Sequence, residues 1–392
     1  MDEIPPEPGT TTSAAQGGTV TAVATSIAAF VGFAPEGPTD EPTRLTSWRD
    51  YTVVFGGFDG GEMGYAVKSF YDNGGTEAWF VRVSGETGGD DLALIGDAAA
   101  KTGLYALDGV DSFNLLCLPD LRRLTGGAYL EAAVASAAYC RGRRAFLILD
   151  LPAEIDTVEA AQSWATNTAP ELGSENRSYA AAYWPEPLVP DPLDSEEPRR
   201  IATSGIMAAV YARSDRETGV WQAPAGTTQS IAGVLKLAVA LDDDQNSLIN
   251  PLGLNALRTF PVYGTVPWGA RTLQGADTLA SDWKYVAERR LALLIEESFV
   301  RGLAWTVYEP NGPQLWSAIR RNSTPFLDAL WRQGAFVGAT PSASYFLTCD
   351  STTTSQADIE AGTVNVVVGF APTRPAEFTV LTIPLKAEAP GG

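Results

Sequence analysis

The spacing of hydrophobic and polar positions changes several times along the chain, and each change marks an expected element. Thr19, Val20, Thr21 and Val23 alternate in the manner of a strand, and Ile27 to Phe33 is a continuous apolar run stopped by Pro35 and Gly37-Pro38. Ser47 stands where an N-cap is expected, ahead of a helix that buries Trp48, Tyr51, Val54 and Phe55 and halts at Gly56-Gly57. A second helix over Met63 to Asp72 stops at Asn73-Gly74-Gly75, and Ala78 to Val83 reads as a buried strand. The pattern then alternates: strand Phe113 to Leu118, Ala-rich helix Ala128 to Tyr139, strand Ala145 to Leu151, helix Val158 to Thr166, strand Ser178 to Trp184, helix Ser204 to Ala212. Such alternation predicts a largely parallel, helix-covered sheet. Pro185 to Pro198, dense in proline and acidic residues, predicts a surface loop.

Beyond Gly219 the periodicity loosens, and Pro261 to Gly269 is punctuated by Pro and Gly. Regularity resumes at Ser281 or Asp282, expected caps of a long helix whose apolar face is Trp283, Val286, Ala287, Leu291, Leu294, Ile295 and Phe299. Leu303 to Tyr308 reads as a strand. Pro313 opens the next helix, which buries Leu315, Trp316 and Ile319, and Ser323-Thr324-Pro325 restarts it. Three strands follow, Tyr345 to Cys349, Thr363 to Phe370 and Phe378 to Leu385. The expected fold class is therefore α/β with a separate C-terminal α+β unit. Its divisions are a polar N-terminal arm and strand (1–24), an α/β region (25–270), an α+β domain (271–376) and a C-terminal arm and strand (377–392).

Composition narrows the function. Among 392 residues, 45% are hydrophobic and 10% aromatic, which supplies folded cores and excludes a disordered chain. No apolar run is long enough to span a bilayer, and the acidic start Met1-Asp2-Glu3 does not resemble a secretory signal, so a soluble protein made in the cytoplasm is expected. The formal net charge of −20 repels phosphate backbones and anionic lipid, which argues against nucleic acid and direct membrane insertion. Within this acidic chain, Asn311 to Gly334 carries Arg320, Arg321 and Arg332 against Asp328. Those arginines fit an acidic partner and fit a solvated helix face equally well. Cys117, Cys140 and Cys349 are odd in number and widely spaced, which predicts buried free thiols.

The chain contains no histidine, and that absence removes the commonest general base and transition-metal ligand. Thr203 to Ala209 (TSGIMAA) resembles the nucleophile helix of subtilisin-like proteases, and Asp150 ends a strand as their aspartate does. Without an imidazole to take the serine's proton, structural residues on a non-catalytic scaffold are expected there. No phosphate-binding Gly-Lys-Ser/Thr loop or dinucleotide fingerprint is present. Asp242-Asp243-Asp244 lacks the Gly hinge and distal Glu of a calcium loop and reads as solvated. Trp283, Trp305, Trp316 and Trp331 fall at packing positions. No catalytic, cofactor-binding or metal residue is assigned.

Several stretches together resemble the contractile tail sheath protein family of phages and extracellular injection systems. They are TSIAAFVGFAPEGPTDEPTRLTSW (from Thr25), YAVKSFYDNGGTEAWFVRV (from Tyr65), Leu257 to Leu273, and Asp282 to Ser351, which includes YEPNGPQLWSAIRRN (from Tyr308) and FLDALWRQGAFVGATPSASYFLTCD (from Phe326). No single one is decisive, but the ordered set spans most of Thr19 to Leu385. The chain departs from the family in its polar opening, where a Pro-Gly-Val-Tyr-Val-Glu-Glu-like strand is usual, and in lacking large outer insertions.

The resemblance implies a structural subunit that stacks in hexameric rings around an inner tube, bounded by baseplate and terminal cap proteins. Sheath contraction would drive the tube through a target envelope, with no nucleotide or other cofactor. It implies assembly in the cytoplasm into a phage tail or tail-like particle, which an injection system can release. It also implies a subtilisin-like scaffold without catalysis, and terminal strands donated to neighbours' C-terminal sheets. The corresponding linking residues are Thr19, Val20, Thr21 and Val23 at one end and Phe378, Val380, Leu381 and Ile383 at the other. Arg320, Arg321 and Arg332 are the expected tube-facing residues. A sheath-related baseplate or cap component, or a hydrolase on the same scaffold, are the alternatives.

Overall fold

The computed structural model describes residues 18–85, 91–373 and 379–389. The chain divides into two compact units, one of Val23–Ile295 and one of Met1–Ala22 with Glu296–Gly392.

In the first unit the strands are β1 (Ala28–Gly32), β2 (Thr43–Leu45), β3 (Ala78–Arg82), β4 (Leu115–Cys117), β5 (Phe146–Leu149), β6 (Ala180–Trp184), β7 (Pro187–Val189), β8 (Arg199–Arg200), β9 (Lys236–Leu237), β10 (Asn255–Phe260) and β11 (Gly264–Pro267). The helices are α1 (Trp48–Phe55), α2 (Met63–Asp72), α3 (Gly126–Arg143), α4 (Val158–Ser163), α5 (Ser204–Thr218) and α6 (Asp243–Ile249), followed by α7 (Val286–Gly302), within which the division falls. Among the described residues, eight strands form one sheet in the order β11-β10-β6-β5-β4-β1-β3-β2. The run from β10 through β6, β5, β4 and β1 to β3 is parallel, and β11 and β2 close its edges antiparallel.

A parallel sheet is covered on both faces, so its strands need apolar residues at successive positions. The sequence supplies them: β5 is FLIL and β6 AAAYW, every position buried. Ala29, Val31, Leu116, Leu147 and Ala182 share one core with Tyr129, Ala133 and Ala137 of α3. Phe30, Leu115, Phe146 and Ala181 share the other with Tyr65, Val67 and Phe70 of α2 and Ile206 and Val210 of α5. Helices α2 and α5 approach so closely that a β-carbon on Gly205 would overlap the Ala66 carbonyl. Gly205→Ala should therefore cost about 1–3 kcal/mol by overpacking, read as a lowered denaturation midpoint at unchanged slope.

The second unit contains α8 (Pro313–Arg332) and an antiparallel sheet of β12 (Tyr345–Thr348), β13 (Thr363–Phe370) and β14 (Thr379–Lys386), in that order. Strand β14 alternates strictly, with Leu381, Ile383 and Leu385 buried and Val380, Thr382 and Pro384 outward. That is the pattern of a sheet with one wet face. Val364, Val366, Val368 and Phe370 of β13 are likewise buried.

Four expectations on local structure are corrected. Leu303 to Tyr308 is not a strand: Ala304–Tyr308 is a 3-10 helix, because Leu303 and Thr306 are buried at a spacing of one tight turn while Ala304 and Val307 are exposed. The long helix starts at Val286 rather than at Ser281 or Asp282, because Tyr285 bridges to Arg271 and keeps the preceding backbone extended. The acidic loop after Trp184 carries β7 and β8, since β7 pairs with both β8 and β9. Asp242-Asp243-Asp244 is a helix start, in which Asp242 accepts from the Gln245 amide and closes a capping box.

Candidate assembly interface

Each candidate linking segment stands differently in the structure. Thr19, Thr21 and Val23 form no strand, although their alternation suits one. An alternating segment becomes a strand only where a row of backbone groups faces it. Here the Val20 side chain is buried, 2% exposed, against Gly302, and its N–H donates to the Asn322 carbonyl at 3.1 Å. Val380, Leu381 and Ile383 lie in β14, which pairs with its own β13 from Thr379 to Lys386. Phe378 lies outside the described residues.

Among the described residues, no further strand pairs with the outer edge of β12 or of β14. The edge of β14 is partly blunted. Leu381, Ile383 and Leu385 turn their amides toward β13, which leaves those of Val380, Thr382 and Lys386 outward, and Pro384 has none. The Lys386 carbonyl already accepts from the Thr306 hydroxyl at 2.6 Å.

The candidate tube-facing residues lie on α8, a single helix through Pro325. The Thr324 hydroxyl donates to the Arg320 carbonyl at 2.8 Å, one residue before the proline. Leu315, Ile319, Phe326, Leu327 and Leu330 are buried in this unit, while Arg321 and Arg332 are exposed on the helix's other face. Arg320 differs. It is half-buried and donates to the Cys349 carbonyl and to Ser317 Oγ, so it holds the end of β12 in its own unit.

In the other unit, chemistry-bearing residues gather at the carboxyl ends of the parallel strands. The chain runs from β1 to β3 on one side and returns to β4 on the other, which makes the β1/β4 ends the place where open α/β folds hold ligands. The protein's own side chains fill that place. Arg122 forks onto Glu186 at 2.8 and 3.1 Å and reaches Glu62 at 2.8 Å. Arg123 adds a 3.2 Å bond to Glu62, and Arg200 pairs with Glu186. Asp120 accepts from the Phe33 amide at 3.0 Å. Burial pushes its carboxyl up to about 7, with the nearby Glu62 adding to the rise and the Phe33 bond opposing it.

Asp150 is also raised to about 7 by burial, against the hydrogen bonds it accepts. Its Oδ1 receives the amides of Thr203 and Ser204 at 2.7 and 2.9 Å, so it caps the start of α5 from across the fold. Ser204 is 0% exposed. A nucleophile must be reachable, and this serine is sealed in the core. Burial also raises all three thiols, Cys349 to about 12, so the cysteines are poor nucleophiles at neutral pH. Among the described residues no group of three or more acidic or cysteine ligands could hold a metal ion, and no helix is long and apolar enough to cross a membrane.

The raised Asp120 has a checkable consequence. An acid whose folded pKa is near 7 and unfolded pKa near 4 stabilises the fold fully only below about pH 4, and that contribution is lost as pH climbs toward 7. Asp120→Asn should remove this dependence. The stability difference, variant minus wild type, should grow by up to about 4 kcal/mol between pH 4 and 7 in parallel denaturant titrations.

Sequence reasoning missed the ionic network, since Glu62, Arg122 and Glu186 are far apart in the chain and only the sheet order brings them together. It also missed the β10–β11 hairpin, whose exposed tip carries Val262 and Tyr263.

Comparison with known proteins accords with this geometry. Residues 279–386 match the family described as phage tail sheath C-terminal domain. No curated protein matches the chain. A chain of the helical sheath of the anti-feeding prophage in its contracted state is 27% identical, with a TM-score of 0.72, covering 97% of this chain and 99% of that one. A chain of the contracted sheath complex of PVC, an extracellular contractile injection system, is 27% identical with a TM-score of 0.70, covering 97% and 98%. A chain of the six-fold symmetrised anti-feeding prophage baseplate matches at 27% identity and a TM-score of 0.71, covering 97% and 98%. Over nearly its whole length the chain is thus homologous to contractile injection system sheath proteins, and its residues 279–386 match the phage tail sheath C-terminal domain family.

Proposed function

We propose that this chain is the structural subunit of a contractile sheath and polymerises with copies of itself around an inner tube. The observation that carries the reading is full-length similarity to sheath chains in contracted particles, at 27% identity over 97% of the chain. The sealed Ser204, the missing histidine and the self-filled strand ends support a non-enzymatic role. In this reading the α/β unit is an inherited subtilisin-like scaffold turned to packing.

Linkage between subunits follows from the C-terminal sheet. Strand β14 satisfies β13 within one chain, and an identical strand from a neighbour would satisfy it in the same register. Exchange of that kind joins chains at little net change in hydrogen bonding. The residues around Thr19 to Val23, which form no strand here, would become one by adding to a neighbour's sheet edge. Head-to-tail exchange does not close on itself and so builds a helix of stacked rings. Contraction is then a switch between two packings of rigid subunits, with the extended one held by tube, baseplate and cap.

The exposed face of α8 would meet the tube through Arg321 and Arg332, with Arg320 bracing β12 behind them. Reversing both charges (Arg321→Glu with Arg332→Glu) should reduce co-sedimentation with tubes by about tenfold or more while self-polymerisation persists. Unchanged tube binding would remove these residues from the interface.

The baseplate match keeps a second reading in view, a sheath-like part present in a few copies. Copy number in purified particles separates the two. A sheath subunit should be among the most abundant bands on a denaturing gel, and a stoichiometry of one ring per particle would favour the baseplate.

A further inference from the structure

The chain crosses the limits of the Val23–Ile295 unit twice, between Ala22 and Val23 and between Ile295 and Glu296. Thr25 lies just inside the first crossing, and Arg290, on α7, just inside the second. A single buried ion pair holds both. The Arg290 guanidinium forks onto Asp215 of α5, Nη1 to Oδ1 at 2.8 Å and Nη2 to Oδ2 at 2.6 Å. Nη2 also donates to the Thr25 carbonyl at 2.8 Å, and the Thr25 hydroxyl donates back to Asp215 Oδ2 at 2.6 Å. The two charged side chains are 3% and 5% exposed. The guanidinium lies 4.8 Å from the centre of the Tyr211 ring, and the Tyr211 hydroxyl is itself bonded to that of Tyr183 at 2.7 Å. Asn114 adds a second tie, with its Nδ2 donating to the Ala24 carbonyl at 2.8 Å and its Oδ1 accepting the Ile27 amide at 3.0 Å.

Desolvating a carboxylate and a guanidinium is unfavourable, and packing alone could be supplied by apolar side chains. What an arginine fork adds is direction, because its planar donors fix two acceptors at once. Here the acceptors are a helix side chain and the main chain at the root of the N-terminal segment. Without the fork, a pull on residues before Val23 would act on the Asn114 tie alone and, once that gave way, on the first residue of β1, Ala28, peeling it from β3 and β4 one backbone bond at a time.

We propose that Arg290, Asp215 and Thr25 are positioning residues of the assembly, a joint that passes tension on the N-terminal segment to helices α5 and α7 and shields β1 from it. The inference rests on the reading that subunits are linked through that segment.

The test uses the full-length chain with Asp215→Asn and Arg290→Lys, which keep shape or charge and lose the charged fork, and Thr25→Val, which removes one donor only. In the unassembled chain, amide exchange at Ile27 and Ala28 should rise about tenfold in the first two variants and less in the third, with the β5 amides unchanged. Assembled cylinders should form at wild-type yield and, after hydrodynamic shear, break into pieces several-fold shorter than wild type. Unaltered exchange at Ile27 and Ala28 would overturn the joint, and so would wild-type lengths after shear. Should the first two variants not fold, Thr25→Val decides by the same readouts. Should the wild-type chain form no cylinders, the sheath reading fails, while the exchange measurement still decides whether the fork pins the root.

Discussion

Arg122→Ala is expected to destabilise the 23–295 unit by about 3–5 kcal/mol, among the largest effects of any single substitution in it. The reason lies in what remains after the arginine is gone. Glu62 and Glu186 are buried carboxylates whose charge is balanced by the fork and the neighbouring arginines, and truncation strands them away from water. Arg123 and Arg200 each reach one of the two but are partly exposed, and neither spans both. Arg122→Lys should recover only part of the loss, since an ammonium cannot serve both carboxylates with fork geometry. Chemical denaturation followed by intrinsic tryptophan fluorescence would measure this directly. A loss under 1 kcal/mol would mean that the network is solvated and not the buried brace described here.

Removal of the terminal segments should abolish ordered polymer. The two ends are expected to fail differently. A chain lacking residues 1–23 keeps every strand found among the described residues and should stay folded and monomeric, with polymer below detection at concentrations where the full chain assembles. A chain lacking residues 378–392 loses β14 and uncovers Val364, Val366 and Val368, so its C-terminal unit should also unfold more readily. Leu381, Ile383 and Leu385 would each forfeit about 1.5–3 kcal/mol of burial. Supplying the missing strand as a separate peptide should restore the fold of that unit without restoring polymer, because a free peptide tethers nothing. Sedimentation and denaturation of the two truncations, read together, separate loss of linkage from loss of fold.

How much of this was legible in the chain depended on whether a signal was local. Strands β3 to β6 and helices α1, α2, α3 and α5 stand where apolar runs and caps placed them, because Ser47, Gly56 and the continuous apolar strands act within a few residues. The three C-terminal strands were equally plain, since β14 alternates without exception. The strand expected at Leu303 failed because six apolar and β-branched residues say nothing of period, and the preceding helix simply tightens by one more turn. The β10–β11 hairpin was hidden by Pro261 and Gly264, which read as loop punctuation when in fact they bound a turn. Asp242 looked like one of three solvated acids and is an N-cap, a distinction that depends on Gln245 standing at the right offset.

The candidate site was legible in part. The helix carrying Arg321 and Arg332 exposes them as its amphipathic pattern requires, whereas Arg320, adjacent in sequence, turns toward Cys349 because one helical step rotates it by about 100°. Neither the Arg122 network nor the Arg290 fork could be read from the chain. Their members come from strand ends and helices that meet only after the sheet order is set.

This chain is expected to assemble with itself into a contractile cylinder. Negative-stain microscopy of the purified full-length protein at rising concentration addresses it most directly. Hollow, transversely striated cylinders of uniform diameter, built from six-fold rings, are expected. A population of monomers, or of single closed rings that never stack, would contradict it.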